Sequence, residues 1–263
     1  MPVRLADARP PPLLTPPEDR CTPYRELKVA DYRRMGDELR RLVDEGVKFP
    51  SQATSVTCLA GEMKVLGYDF GRENITLPHD VMLAHLNGFQ KFPYGYWTGA
   101  VTYPFAEIAS NMGRLGFDVE PAVKGCWENF CNGLRAIQFQ PHPHEPLLAI
   151  ARLKEMGHDP RVKADLWPGR AEELEFLSKE GKWVDYAQVA LALKRLDKDV
   201  SAAVKANTGP LVGHLTEARR GKSVRDFVGY AADLAELGVL TPEPNHVGAG
   251  GAGIPPLKIF KRC

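Results

Sequence analysis

The chain has 263 residues, of which 44% are hydrophobic and 25% charged, so it can bury a core without help from a metal or a disulfide. Its 34 Lys and Arg against 33 Asp and Glu give a formal net charge of +1. The chain therefore lacks the excess of basic residues that is typical of a dedicated nucleic-acid binder. Its five scattered cysteines argue against a secreted disulfide scaffold, and no apolar run is long enough for a membrane span.

The two ends of the chain differ from its middle. Residues 1–24 hold seven prolines and predict an extended, polyproline-like arm, because proline fixes φ and donates no backbone hydrogen bond. Residues 243–263 are rich in Gly and Pro and predict a tail. The N-terminus resembles a transit peptide only weakly, because it carries the acidic Asp7 between Arg4 and Arg9.

The middle, residues 25–242, has a helical pattern. Residues 31–46 place apolar side chains close to every 3.6 residues, and residues 183–197 and 224–238 do the same. No segment alternates with the period of two that is typical of a strand. The composition and pattern therefore predict an all-α domain.

Five passages of this domain align without gaps: LAGEMKVLGYDF (59–70), IASNMGRLGFDV (108–119), AIARLKEMGHDP (149–160), VALALKRLDKDV (189–200) and YAADLAELGVLT (230–241). Each contains an anchor, the Leu or Met that precedes Gly or, in the fourth passage, Asp. The anchors, 49, 41, 40 and 41 residues apart, are Leu66, Leu115, Met156, Leu196 and Leu237. Four of the passages carry Asp three residues after the anchor.

This recurrence is what the second helix of a helix pair requires. The anchor and the apolar residues three and six before it share one helix face. Glycine after the anchor supplies a left-handed cap, and the Asp can cap or turn into the next helix. The first helices are centred on Leu39, Leu86, Leu134, Leu174 and Leu215. We predict an α-solenoid of about five helix-turn-helix repeats of roughly 41 residues.

A helix end of the form A-x-x-L-x-x-L-G followed by an acidic or proline turn, at 60–69, 109–118, 150–159, 190–199 and 231–238, resembles the octotricopeptide and FAST-kinase-domain families of organellar helical repeats. The resemblance implies a solenoid that acts on organellar RNA, and hence a location in the mitochondrion. The alternative location is the cytoplasm. The unit is longer than an octotricopeptide repeat, and we find no tail resembling a RAP domain. These departures and the near-neutral charge favour a small subunit of a larger assembly such as a mitochondrial ribosome.

The best candidate phosphate patch is Arg219, Arg220, Lys222 and Arg225, which stand in the last linker and at the start of the helix after it. A helix N-terminus beside cations suits an RNA backbone, and Ser223 can cap that helix. The alternative is a solvated run of charge.

A second candidate is the aromatic linker that holds Lys91, Tyr94, Tyr96 and Trp97. Exposed aromatic side chains beside a cation can stack on bases or anchor a protein interface. The alternative is that these rings cover the end of the hydrophobic core.

Residues that carry reaction chemistry are sparse. Cys126 and Cys131, five apart, do not share a helix face and are predicted to be packing residues. His142, His144 and Glu145 lack a second half of a metal site. We therefore predict no enzyme activity, cofactor, metal or small-molecule substrate.

Three hypotheses stay open. The first is a non-enzymatic protein associated with organellar rRNA or another RNA and with neighbouring proteins. The second is a protein-only scaffold or accessory subunit of an organellar complex. The third is a helical enzyme that uses His142, His144 or a cysteine.

Overall fold

The computed structural model describes residues 27–46, 48, 50–137, 144–162 and 172–241. The predicted arm at 1–24 and tail at 243–263 lie outside the described residues. Within the described ranges the chain forms eleven α-helices and no β-strand, which confirms the all-α prediction. None of the helices in these ranges is both long and apolar enough to cross a membrane.

The helices follow one another through short connections. They are α1 (Val29–Asp44), α2 (Pro50–Val65), α3 (His79–Gly88), α4 (Gly99–Arg114), α5 (Glu120–Ile137), α6 (His144–Glu155), α7 (Glu172–Lys179), α8 (Trp183–Arg195), α9 (Ser201–Ala206), α10 (Thr208–Arg220) and α11 (Val224–Glu236). Two single 3-10 turns, Phe89–Lys91 and Tyr94–Tyr96, connect α3 to α4.

Five of these helices form an inner ring. Helices α2, α4, α6, α8 and α11 contact one another in that order, and α11 returns to contact α2. The outer helix α1 packs against both α2 and α11, so the first and last helix pairs meet. In a solenoid each unit contacts only its neighbours along the chain. The contact of α11 with α2 departs from that pattern, because the described helices close on themselves, and the predicted α-solenoid of about five repeats is not confirmed.

All five inner helices end in the same backbone motif. The residue after each anchor has a left-handed φ, from +78° to +90° at the four glycines and +64° at Asp197. The next backbone N–H donates to the carbonyl three residues before the anchor, as from Tyr68 to Met63 at 3.0 Å and from Phe117 to Met112 at 3.1 Å. These bonds define a Schellman motif and confirm the predicted left-handed caps.

After four of the five caps an Asp turns the chain into the next segment. The Oδ1 atom of Asp118 accepts a hydrogen bond from the backbone N–H of Glu120 at 3.2 Å. Asp199 makes the same contact with the N–H of Ser201 at 2.9 Å. The predicted capping role of these aspartates is confirmed.

The hydrophobic core lies between the inner and outer helices. The five predicted central leucines of the first helices are 0–3% exposed. The residues three before the anchors are equally buried, and they are Met63, Met112, Leu153, Leu193 and Leu234. Cys126 and Cys131 are buried thiols of α5 that form no disulfide, as predicted for packing residues.

The inner helices run parallel, which gives the ring two distinct faces. The side chains at the C-terminal ends of α4, α6, α8 and α11 converge on one another. At the other end, Arg225 of α11 lies 3.5 Å from Ser55 of α2. We call the side that carries the described parts of the linkers within each pair, at 45–46, 48, 89–98, 180–182 and 221–223, the intrapair face. The opposite side, with the connections between pairs, is the interpair face.

Two exposed glycines test the contribution of the left-handed caps. Gly116 has φ +90° and Gly213 lies inside α10, and neither has an atom within 4 Å of where a Cβ would stand. We expect Gly116→Ala to lower the free energy of unfolding by about 1–2 kcal/mol, because alanine is strained at a left-handed φ. Gly213→Ala should raise it by about 1 kcal/mol through helix propensity. Urea unfolding of both variants checks the prediction, and equal effects would contradict it.

Candidate functional site

A ring of alternating charge occupies the centre of the inner helices near the interpair face. The Nη2 atom of Arg114 lies 2.6 Å from Glu236 and 3.4 Å from Glu155. Arg195 Nη2 likewise lies 2.6 Å from Glu236 and 3.4 Å from Glu155. Each of the four residues stands one position before an anchor, and their side chains are 13–24% exposed. The quartet therefore joins four of the five inner helices.

A second group of charges lies one to two helical turns closer to the intrapair face. Arg152 Nη2 is 3.6 Å from Glu107 Oε1. The Oε2 atom of Glu62 is out of contact with solvent and has no hydrogen-bond partner. Burial, reinforced by Glu107 and Asp233, raises the pKa of Glu62 to about 8. Burial also raises the pKa of Asp233 to about 6.

The charges of these two groups, which we call the axis, are unequal in number. The guanidiniums are Arg114, Arg152 and Arg195, and the carboxyl groups are Glu62, Glu107, Glu155, Asp233 and Glu236. Carboxyl groups therefore exceed guanidiniums, and the raised pKa of Glu62 keeps one of them protonated near neutral pH, which offsets part of the surplus, as does the nearby Arg225. The centre of the ring is thus filled by charged side chains of opposite sign that contact one another. In the described part of the chain no group of three His, Cys, Asp or Glu side chains could hold a metal ion.

Arg219, the first residue of the predicted phosphate patch, has a structural role. Its guanidinium pairs with Asp31 of α1 at 3.1 Å and lies 5.9 Å from the ring centroid of Phe227. Its backbone carbonyl accepts a hydrogen bond from Arg34 at 2.6 Å. The side chain is 18% exposed, so Arg219 mainly joins the last helix pair to the first.

The other three cations of the patch are exposed on the intrapair face. Arg220, Lys222 and Arg225 all have exposed side chains around the start of α11. Ser223 Oγ accepts a hydrogen bond from the backbone N–H of Asp226 at 3.2 Å, which confirms the predicted helix cap.

The aromatic linker divides into an exposed and a buried part. Tyr94 is 65% and Tyr96 63% exposed, and Lys91 is exposed beside them. Trp97 is only 2% exposed, with its ring centroid 5.4 Å from that of Phe105. Trp97 therefore covers the core, as the alternative interpretation held, and the expectation that it contacts RNA or a partner is corrected.

The fold brings the predicted phosphate patch and the aromatic linker to the same face, because both belong to intrapair linkers. It also adds residues that the sequence interpretation missed. Each described intrapair linker carries an exposed lysine, and these are Lys48, Lys91, Lys182 and Lys222. The connections on the interpair face carry charges of both signs: the aspartates are Asp69, Asp118, Asp159, Asp197 and Asp199, and the cations are Arg72, Arg161 and Lys198. Aligning the linkers in register would have revealed the lysines.

The helix dipoles add to this polarity. The five inner helices point their N-termini, which carry partial positive charge, at the intrapair face. The intrapair face is thus suited to anionic ligands, although the chain as a whole carries a net charge of only +1. The histidines considered for a metal or catalytic site cannot be placed on the intrapair face, because His142 and the side chains of His144 and Glu145 lie outside the described residues.

Comparison with known proteins returned no match, whether to family models, to curated proteins or to solved structures. The resemblance to octotricopeptide and FAST-kinase-domain repeats therefore stays a prediction from the helix-end motif.

The proton on Glu62 makes the stability of the ring depend on pH. Between about pH 4.5 and 8 the folded chain holds this proton and the unfolded chain does not, so stability falls as pH rises through that window. Glu107, Asp233, Arg152, Arg225 and Cys58 surround the group. We expect Glu62→Gln, relative to the unsubstituted chain, to raise the melting temperature by about 4–8 °C at pH 8 and by much less at pH 5.

The exposed Glu180→Gln provides the control, because its melting temperature should differ little from that of the unsubstituted chain at either pH. An equal effect of Glu62→Gln at both pH values would refute a buried proton on Glu62.

Proposed function

We propose that this chain is a non-enzymatic helical-repeat protein that binds RNA through its intrapair face, as a subunit of an organellar ribonucleoprotein such as a mitochondrial ribosome. The observation that carries the proposal is the set of exposed lysines, one in each described intrapair linker, beside the exposed rings of Tyr94 and Tyr96.

Lysines around a ring favour contact with the sugar-phosphate backbone. Each lysine that neutralises a phosphate releases a condensed counterion, so affinity should depend strongly on salt. The exposed tyrosines add a stacking surface for unpaired bases, since every base offers an aromatic face. The expected mode is tolerant of sequence and selective for single-stranded or looped RNA.

The assembly setting follows from the difference in charge between the two faces. The interpair face carries charges of both signs and its aspartates pair with cations such as Arg161 and Lys154, so the intrapair face is the one expected to meet RNA and the other is left for protein. The five matching helix ends support a helical-repeat origin, and the organellar location rests on the resemblance of those ends to organellar repeats.

A protein-only scaffold is the second candidate. Phe176 is 55% and Val184 39% exposed, and Lys182 Nζ lies 5.6 Å from the centroid of the Phe176 ring. Exposed aromatic and apolar residues beside a cation are also typical anchors of protein interfaces.

Charge reversal on each face tests the RNA proposal. We expect Lys91→Glu/Lys222→Glu to weaken binding of a single-stranded RNA oligonucleotide about 10-fold at low salt, and to lower the slope of log K against log salt by roughly 1.4. The matched control is Lys64→Glu/Lys198→Glu on the interpair face, which should bind the RNA about as tightly as the unsubstituted chain does. Fluorescence anisotropy measures all three proteins.

Two results would contradict the proposal. The first is no affinity for RNA at low salt, and the second is the same loss of affinity in both double variants. Purification of the native particle with protein partners and no RNA would then favour the scaffold.

A further inference from the structure

An apolar groove of about 430 Å³ opens where α2 begins and α3 ends, at the intrapair face. Its walls include Ala53, Val81, Ala84, Phe89 and Phe92. Lys48 stands at its rim, and Lys48 and Lys91 are both exposed. The groove thus combines an apolar floor with a cationic border.

The groove leaves large apolar side chains in water. Val81 is 41% and Phe92 40% exposed, and the Phe92 ring lies 5.8 Å from that of Phe89. Aromatic walls of this kind suit a proline-rich segment, because its preformed extended helix loses little entropy on binding.

We propose that this groove binds residues 10–17 of the same chain, PPPLLTPP, with Glu18 and Asp19 next to Lys48. Three properties favour this segment as the occupant: the length of chain that links it to α1, its proline-rich sequence and the acidic residues that follow it.

The tether is long enough to reach. Leu27 is buried at the start of α1, whereas the groove lies beyond the other end of that helix, since α2 begins at Pro50 after a short linker. Helix α1 has 16 residues and is therefore about 24 Å long. The eight residue steps from Asp19 to Leu27 span up to about 28 Å in a fully extended chain, and the ten steps from Pro17 span up to about 35 Å.

Charge selects the arm over the tail. The proline segment of the arm is followed by Glu18 and Asp19, which complement the lysines at the groove. The flanking Arg9 and Arg20 bring its flanks to neutrality without a net positive charge. The proline segment of the tail, at 255–256, is followed by cations, which are Lys258, Lys261 and Arg262. Cations beside Lys48 would repel it.

The native cysteines allow a direct test in the full chain. Cys58, Cys126 and Cys131 are buried, so in Cys263→Ser a nitroxide reagent labels Cys21, four residues after Pro17. We expect the label to reduce the amide NMR signals of Ala53, Ala84 and Phe92 at least two-fold, independently of dilution. Glu18→Lys/Asp19→Lys should abolish the effect, and adding Lys48→Glu should restore it.

The controls separate the possible occupants. A nitroxide on Cys263 in Cys21→Ser should leave these signals unchanged, and signal loss from that label alone would assign the groove to the tail and overturn the proposal. Signal loss in a mixture of isotope-labelled chains and nitroxide-labelled chains would assign it to a second copy. Intact groove signals with the label on Cys21, or a loss that survives the charge reversal, would also overturn it.

Discussion

The architecture depends on one contact, that of the last helix pair with the first. Arg219 of α10 pairs with Asp31 of α1, and Arg34 of α1 donates to the carbonyls of Arg219 and Gly221 at 2.6 and 2.5 Å. Together with the packing of α11 on α2, these bonds close the inner ring. Closure places the intrapair linkers around one face, where an open stack would spread them along an edge. The lysines of that face depend on it for their proximity.

Closure also explains the charged axis. Glu236, in the last helix pair, can contact Arg114, in the second, only because the ring returns on itself. Burying charge is unfavourable unless every charge is paired, and such networks fix geometry more than they stabilise it. The alternating quartet therefore specifies how the inner helices meet, and the proton on Glu62 offsets part of the surplus of carboxyl groups.

Local features of this fold could be predicted from the sequence, and non-local ones could not. The helix ends were predictable because the left-handed cap needs only the residues around one glycine, and even Asp197 adopts the expected φ. The closure of the ring could not be predicted, because it depends on the small rotation between successive helix pairs. No single segment of the sequence encodes that rotation. Arg219 resembled a surface cation because its partner Asp31 is distant in the chain. Likewise, nothing in the linker sequence distinguished the buried Trp97 from the exposed Tyr94 and Tyr96.

A distance between the first and last helix pairs tests the closed ring most directly. Nitroxides can be placed at the exposed Asp37→Cys of α1 and Glu217→Cys of α10, in a chain with Cys21→Ser and Cys263→Ser. Pulsed electron spin resonance should give one narrow distribution centred at about 20 Å, since neighbouring helices pack 8–10 Å apart and the labels add to that separation. An open stack of five pairs would separate the labels by roughly 40 Å, and that result would contradict the ring.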